Sequence, residues 1–233
     1  MHLSETERES NEQLFNRLKP EVEVRRDTPA SPWTYSALDI RQREIAARVA
    51  QGGPGALLLS EVAPVITVGR RTAPGDILFT PELLAKRGIE LHRTDRGGFA
   101  TYHGPGQWVL FAVDHLDRLT GDSRGVRLAV EGLLQIALQV GRKYDPGMEI
   151  RSGAETGVWS PRGKCAAVGV HVEQRVVLHG LAVNGYRTTT SFMGLRPCGL
   201  DAPVDFLLKK EDDFEKLGEE LRDAALQQFW QFH

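Results

Sequence analysis

Two reactive side chains in the second half of the chain could act together. One is a cysteine that lies between a proline and a glycine, and the other is a lysine directly before an apolar run. Cys198 lies in Arg196-Pro197-Cys198-Gly199, where proline fixes its own φ and glycine permits positive φ, so the backbone is constrained on both sides of the thiol. Lys164 follows the turn Ser160-Pro161-Arg162-Gly163. A nearby ammonium favours a thiolate and lowers a cysteine pKa, which is the chemistry of covalent catalysis.

Each of these residues also has a plainer interpretation when it is taken singly. A free cysteine commonly packs as a small buried hydrophobe. A lysine at the start of a strand is commonly a solvated charge, although a partly buried lysine shifts its pKa readily. The choice between the two interpretations depends on the rest of the chain.

A glycine-rich loop over residues 96–107 is the second candidate for chemistry. Its four glycines allow the backbone to approach a ligand closely, although turn glycines in a solvent loop would look the same. The loop lacks both G-x-x-x-x-G-K-[ST] and G-x-G-x-x-G, so the usual nucleotide-binding loops are not predicted. His103 has no second histidine at ligand spacing, so we expect no metal site.

The composition limits the class of protein. The length of 233 residues fits one large domain. The formal charge of -2 gives no support for a nucleic-acid partner. No apolar run approaches the roughly 20 residues that span a bilayer, and the polar N-terminus is unlike a secretory signal. The two cysteines, Cys165 and Cys198, form neither a CxxC pair nor a disulfide framework. We therefore expect a cytoplasmic protein without a membrane partner.

Hydrophobic periodicity predicts the elements that must position these side chains. Residues 1–30 are polar and are expected to form an extension, and residues 31–233 the domain. The predicted helices cover residues 37–51, 83–86 after a cap at Thr80, 126–141, and 212 to the end. The predicted strands cover residues 56–60, 64–70, 89–93, 108–113, 157–159, 166–172 and 175–183. This order indicates a mixed α/β domain without regular βαβ alternation.

Five stretches taken in order resemble the lipoyl (octanoyl) transferase (LipB) family, over about residues 33–205. They are Arg96-Gly97-Gly98-x-x-Thr101-Tyr102-His103-Gly104-Pro105-Gly106-Gln107, Gly157-Val158-Trp159, Lys164-x-Ala166-Ala167-x-Gly169-Val170, His179-Gly180-x-Ala182-x-Asn184 and Pro197-Cys198-Gly199. The resemblance implies a single domain with the catalytic fold of biotin and lipoate protein ligases, in which mixed β-sheets are flanked by helices.

The resemblance also implies an activity and a set of site residues. Family members transfer an octanoyl group from octanoyl-acyl carrier protein to a lysine of lipoyl domains, in 2-oxoacid dehydrogenase complexes and in the glycine cleavage H protein, without a cofactor. By similarity, Cys198 is the nucleophile and Lys164 lowers its pKa. The implied substrate-binding residues are Arg96, Gly97, Gly98, Phe99, Ala100, Thr101, Tyr102, His103, Ala167, Val168, Gly169, Gly180, Leu181 and Ala182.

The chain departs from the family pattern at three places, and two other functions stay open. Val62 and Ala63 replace His-Pro, Cys165 replaces an aliphatic residue, and residues 185–188 replace a stretch that usually contains aspartates. The last change bears on acceptor recognition more than on acyl transfer. The alternatives are an ATP-dependent lipoate or biotin ligase, which would not need Cys198, and a non-catalytic module that binds the carrier protein or the lipoyl domain.

Overall fold

Two β-sheets organise the computed structural model, which describes residues 19–196 and 203–230. The larger sheet has seven strands in the order β1-β2-β6-β10-β9-β8-β7, and the smaller has the order β4-β3-β5. The strands of the larger sheet are β1 (Glu21–Arg26), β2 (Ala56–Glu61), β6 (Gln107–Val113), β7 (Glu149–Arg151), β8 (Gly157–Ser160), β9 (Gly163–Glu173) and β10 (Val176–Asn184). The smaller sheet contains β3 (Val65–Val68), β4 (Glu90–Arg93) and β5 (Thr101–His103).

Within the described residues, five α-helices flank the sheets: α1 (Tyr35–Ala50), α2 (Pro81–Lys86), α3 (Leu116–Thr120), α4 (Val126–Gly141) and α5 (Phe214–Trp230). The Thr34 hydroxyl accepts a hydrogen bond from the Ala37 N–H and caps α1, and Thr80 caps α2 through the Leu83 N–H. Such caps satisfy backbone donors that have no partner inside the helix. In the part of the chain that the structure describes, no helix is both long and apolar enough to cross a bilayer.

The central strands are buried on both faces because helices cover both sides of the sheet. Every residue of β2, β6 and β10 is buried. Trp108 and Leu110 point toward the core that α4 and α5 complete, whereas Val109 and Phe111 point toward the core beneath α1. This alternation follows from the two-residue period of a strand. On the face of the sheet that α1 covers, the helix does not extend over all of β9 and β10. The uncovered part forms the site described below.

The architecture confirms the predicted mixed α/β fold. The predicted helices at 37–51 and 126–141 correspond to α1 and α4, and the C-terminal helix corresponds to α5 after a short 3-10 turn over Glu211–Asp213. The predicted cap at Thr80 is also present. These elements were predictable because their apolar residues recur at helical spacing or follow a side-chain cap.

Several short elements were not predicted. β1 lies inside the range predicted as a polar extension, where it pairs in parallel with β2 as an edge strand. Its Val22 and Val24 are 43% and 48% exposed, so the strand has no buried face for the sequence to reveal. β5 lies inside the predicted glycine-rich loop, and β7 and α3 are too short to show a period. Residues 19–30 therefore contribute a strand to the sheet, and the domain boundary at residue 30 stays a prediction.

Candidate active site

The candidate site begins with two rows of side chains that run across β6, β10 and β9. Ala182 pairs with Val109 on one side and with Ala167 on the other. Gly180 likewise pairs with Phe111 and Gly169. Paired residues on neighbouring strands project from the same face of a sheet. Because the β9 and β10 positions in both rows are alanine or glycine, this part of the face has little side-chain volume above it.

The glycine-rich loop lies against this face at van der Waals distance. The Gly97 N–H donates to the carbonyl oxygen of Val170 at 3.0 Å. A Cβ on Gly169 would be 2.8 Å from the Gly97 carbonyl oxygen, so the loop and β9 can approach only because Gly169 has no side chain. Gly98 has φ near +90°, a conformation that favours glycine. One loop glycine, Gly98, therefore has a conformational reason, and Gly169 in β9 has a packing reason.

Arg96 anchors the loop to the smaller sheet. Its Nη2 donates to the carbonyl oxygen of Thr67 at 2.9 Å and to the Thr67 hydroxyl at 2.7 Å, and its Nη1 donates to the Gly97 carbonyl at 3.0 Å. The arginine is only 6% exposed. A buried guanidinium with several acceptors is strongly oriented, because its donors have a fixed planar geometry. Arg96 thus shapes the loop from beneath.

The loop and the sheet enclose a cavity of about 260 Å³. Its lining comes mainly from the glycine-rich loop, β6, β9 and β10. Val130 of α4 contributes as well, as do Gly153, Ala154 and Thr156. Twelve of the predicted substrate-binding residues line it: Arg96, Gly97, Gly98, Phe99, Thr101, His103, Ala167, Val168, Gly169, Gly180, Leu181 and Ala182. Residues that are distant in sequence therefore meet at one cavity.

Two of the predicted substrate-binding residues do not line the cavity. Ala100 and Tyr102 are fully buried in a separate cluster with Ile66 and Leu84. Thr101 and His103 alternate with them along the chain and line the cavity. The alternation of β5 explains the division, since successive side chains point to opposite faces. The sequence showed no β5, so it did not predict this split.

Lys164 lies in the same cavity wall, on β9. The residue is 8% exposed, and its ammonium is 5.6 Å from the centre of the Trp159 ring. A Cβ on Gly157 would lie 2.4 Å from the lysine Cε and 3.1 Å from its Nζ, so the side chain occupies space that only a glycine leaves. The lysine predicted from the sequence is therefore a buried residue at the cavity. Cys198, the predicted nucleophile, lies outside the described residues.

His103 is a neutral imidazole in the cavity wall. Burial, together with the nearby Arg96 charge, lowers the pKa of His103 to about 3. The ring stacks on Tyr35, with 5.3 Å between centroids, and its Nδ1 is 2.7 Å from the Gln107 side-chain oxygen. A histidine with so low a pKa stays neutral at physiological pH, so the ring can hold a hydrogen-bond geometry without a change in its charge.

His179 and Asp95 form a second polar contact at the cavity. The His179 Nε2 donates to Asp95 at 2.7 Å, and its Nδ1 lies 3.2 Å from the Gln42 amide nitrogen. Burial raises the pKa of Asp95, but the hydrogen bonds from His179 and Arg43 outweigh it and lower the value to about 2. His179 has φ near +59°, which is uncommon for a residue with a side chain. This pair joins β10 to the residue preceding Arg96.

Sequence reasoning missed several residues that build this site, including Tyr35, Gln42, Thr67 and Asp95. Tyr35 belongs to α1, and Thr67 belongs to β3 in the other sheet. These residues carry no motif spacing relative to the glycine-rich loop. The only available signal was the position of Asp95 directly before Arg96.

Comparison with known proteins places these features in a family. The model of the lipoyl protein ligase A/B catalytic domain matches residues 34–228. The chain is 37% identical over 191 residues to an octanoyltransferase from Citrifermentans bemidjiense, covering 81% of this chain and 87% of that protein. It is 36% identical to an octanoyltransferase from Koribacter versatilis, covering 76% of this chain and 68% of that protein. These matches confirm the resemblance found in the motifs.

Solved structures share the fold at low sequence identity. A crystal structure of lipoate-protein ligase A bound with ATP superposes with a TM-score of 0.63 at 14% identity, over 91% of this chain and 84% of that chain. P. falciparum LipL1 in complex with lipoate gives a TM-score of 0.65 at 13% identity, over 91% of this chain. This chain spans 63% of the length of LipL1. The ligase-like fold expected from the sequence is thereby confirmed.

Proposed function

Because the chain belongs to the lipoyl protein ligase A/B catalytic domain family and is an acyltransferase, we propose that it transfers octanoyl groups through a cysteine acyl-enzyme. In this proposal the donor is octanoyl-acyl carrier protein, the nucleophile is Cys198, and the acceptor is a lysine of a lipoyl domain. The acceptors are the lipoyl domains of 2-oxoacid dehydrogenase complexes and the glycine cleavage H protein. The reaction takes place in the cytoplasm and uses no cofactor.

The observation that carries the proposal is that Lys164 lies buried in the wall of a cavity whose floor is lined by small residues. Ala167, Gly169, Gly180 and Ala182 leave room above the sheet for an unbranched chain. An octanoyl group has about seven CH₂ or CH₃ groups, and burial at about 0.8 kcal/mol each gives an upper limit near 6 kcal/mol. That free energy is large enough to select an acyl chain by its length.

Lys164 has two uses in such a reaction. As an ammonium beside the thiol of Cys198 it would favour the thiolate, which is the attacking form. The thiolate attacks the thioester carbonyl, the bond from that carbon to the carrier sulfur breaks, and the departing carrier thiolate takes a proton from the Lys164 ammonium, which leaves the lysine neutral. A neutral Lys164 would then accept a proton from the acceptor lysine as its nitrogen forms the amide and the cysteine sulfur departs.

The chain that follows residues 197–202 supports the pairing of Cys198 with Lys164. The Lys164 N–H donates to the carbonyl oxygen of Pro203 at 2.9 Å, and the Asp205 N–H donates to the Lys164 carbonyl oxygen at 3.0 Å. The segment that contains Cys198 is thus followed directly by residues that are hydrogen-bonded to the lysine.

The decisive experiment uses the purified chain with octanoyl-acyl carrier protein and no ATP. We expect intact mass spectrometry to detect an octanoyl adduct on the chain, and addition of an apo lipoyl domain to move that group to the domain. Cys198→Ser should lose the adduct and the product. Lys164→Ala should keep the fold but lose most of the activity. In that variant the Cys198 thiol should need a higher pH for alkylation.

Three results would contradict the proposal. Full activity of Cys198→Ser would remove the acyl-enzyme, and transfer that requires ATP and free octanoic acid would identify a ligase. Binding of both protein partners without turnover would identify a non-catalytic module. Cys165→Ser serves as the matched control, because Cys165 is buried and its thiol donates a hydrogen bond to the Asp205 carboxylate. We expect that variant to retain transfer.

A further inference from the structure

Asn184, at the end of β10, makes side-chain contacts to the main chain of Lys164. Its amide nitrogen donates to the carbonyl oxygen of Lys164 at 3.2 Å and to the carbonyl oxygen of Asp205 at 3.1 Å. The residue is 4% exposed. Carbonyl oxygens only accept hydrogen bonds, so the amide nitrogen must be the atom that faces them. Asn184 therefore joins the lysine strand to the residues that follow Pro203.

Gln107 continues the contact in one direction. Its amide nitrogen donates to the Asn184 side-chain oxygen at 2.9 Å and to the Tyr102 carbonyl oxygen at 3.2 Å. The second of these acceptors identifies the nitrogen end of the amide. The Gln107 side-chain oxygen consequently faces the Nδ1 of His103 at 2.7 Å, and that nitrogen must carry the proton.

His103 connects these hydrogen bonds to the other wall of the cavity. With its proton on Nδ1, the neutral ring can only accept at Nε2, where the Thr67 hydroxyl lies 3.3 Å away. The Thr67 oxygen in turn accepts from Arg96 Nη2 at 2.7 Å. All five residues are buried: Arg96, Thr67, His103, Gln107 and Asn184. The acceptors in this series therefore fix the orientation of both side-chain amides and the position of the proton on His103.

We propose that Asn184 is a positioning residue for Lys164, and that Gln107, His103 and Thr67 hold it in that role from the Arg96 end. The five side chains form a hydrogen-bonded chain, here called the polar chain, that ties the glycine-rich loop to the lysine strand beneath the cavity. Reversal of any amide in the polar chain would set donors against donors. The network therefore specifies one arrangement of the two walls, since a partly satisfied buried network is costly.

The inference rests on the proposed acyl transfer for its functional meaning, because the benefit of a fixed Lys164 is a fixed ammonium beside the reacting atoms. A misplacement of about 1 Å in a catalytic group can cost about 100-fold in rate. Asn184 does not reach the reacting atoms in this proposal. It acts through the lysine main chain, so its loss should lower kcat more than it raises KM.

The test compares Asn184→Asp with the wild-type chain. Aspartate keeps the shape and the oxygen that accepts from Gln107, but it sets a second oxygen against two carbonyl oxygens. We expect kcat for octanoyl transfer to fall about 10- to 100-fold while KM for the carrier protein changes little. Gln107→Glu, which loses the donor to Asn184 but keeps the acceptor for His103, should have a smaller effect in the same direction.

Asp114→Asn is the matched control for an amide and acid exchange at a buried site. Asp114 is buried and accepts hydrogen bonds from Trp230 and Arg118. It follows the far end of β6 from Gln107, about 23 Å along the strand at about 3.3 Å per residue. We expect this variant to lose stability in urea but to keep the wild-type kcat per folded molecule.

A second readout separates this inference from the proposed function. The rate at which acetic anhydride labels the Lys164 amine, relative to the exposed Lys209, reports the position of the lysine without any transfer reaction. We expect the ratio to change in Asn184→Asp and Gln107→Glu but not in Asp114→Asn. If the labelling ratios of the variants change as expected but the wild-type chain transfers no octanoyl group, only the proposed function would be overturned. An unchanged ratio and an unchanged kcat per folded molecule in Asn184→Asp would overturn the positioning role.

Discussion

The backbone N–H of Lys164 donates to the carbonyl oxygen of Pro203 at 2.9 Å, so the strand that carries the lysine is joined to residues that follow the predicted nucleophile in sequence. The Lys164 carbonyl oxygen accepts from Asp205 and from the Asn184 side chain. Both polar groups of the lysine main chain are thus satisfied by this part of the fold. The lysine side chain itself passes through the space that Gly157 leaves.

The Gly157→Ala substitution should displace the lysine side chain. A methyl group there would meet Lys164 Cε at 2.4 Å and the Ala166 carbonyl oxygen at 2.6 Å. We expect a loss of about 1 to 3 kcal/mol in the free energy of unfolding, as for other overpacked sites. Octanoyl transfer per folded molecule should fall by about 10- to 100-fold because the ammonium moves.

A second glycine provides the control for this experiment. A Cβ on Gly132 of α4 would meet the Phe229 ring at 2.8 Å, so Gly132→Ala should lose comparable stability in urea. That variant should keep its activity per folded molecule. Equal losses of activity in both glycine variants would mean that the Gly157 effect is general destabilisation.

The Ala167→Leu substitution should shorten the acyl chain that the cavity accepts. The three added carbon atoms would occupy the space in front of Ala182 and Val109, in the same cross-strand row. Exclusion of about three CH₂ groups from the cavity costs about 2.4 kcal/mol, or roughly 50-fold in kcat/KM for octanoyl donors. Butyryl donors on the same carrier serve as the control and should be affected much less. Equal losses for both chain lengths would place the acyl group elsewhere.

His103 should make stability depend on pH in a defined window. Burial and the Arg96 charge lower its pKa from 6.5 to about 3. Between those pH values the unfolded chain binds a proton that the native ring does not, so its contribution to stability is complete above pH 6.5 and is lost as pH falls. The slope is at most about 1.4 kcal/mol per pH unit.

Urea unfolding of the wild-type chain and His103→Gln at several pH values tests this sign. The difference in slope should appear below pH 6.5 and vanish above it, so measurements at higher pH serve as an internal control. Parallel curves across the whole range would show that the ring is not held neutral in the native state.

The edge strand β1 should stabilise the site through Arg26. Arg26 Nε donates to Glu61 at 2.5 Å, and the same carboxylate accepts from the Gly106 N–H at 2.8 Å. Glu61 is 2% exposed, so loss of the arginine would leave a buried carboxylate without its cation. We expect Arg26→Ala to lose about 3 kcal/mol in the free energy of unfolding, at the lower end for a broken buried pair.

A double-mutant cycle checks that explanation. Glu61→Gln removes the charge that Arg26 compensates, so the double variant should be more stable than the sum of the two single losses implies. Strict additivity in urea unfolding would show that the two side chains do not depend on each other.

The amino-acid sequence by itself determined the longer elements and the family. Helix α4 follows from an apolar stripe whose period is local, and the helix cap at Thr80 depends on residues within three positions. The motif residues around Arg96, Lys164 and Cys198 identified the octanoyltransferase resemblance that the comparisons confirmed. Local spacing and motif order are properties of one stretch of chain, so they can be found without coordinates.

Only the tertiary structure decided which of these residues share a surface. The separation of Thr101 and His103 from Ala100 and Tyr102 depends on the pairing of β5 with β3. The cavity depends on the register that aligns Ala167 with Ala182. The polar chain joins donors and acceptors from both sheets, so its residues have no common spacing. Strand register and buried hydrogen-bond partners are set by contacts between distant segments, and a linear pattern does not contain them.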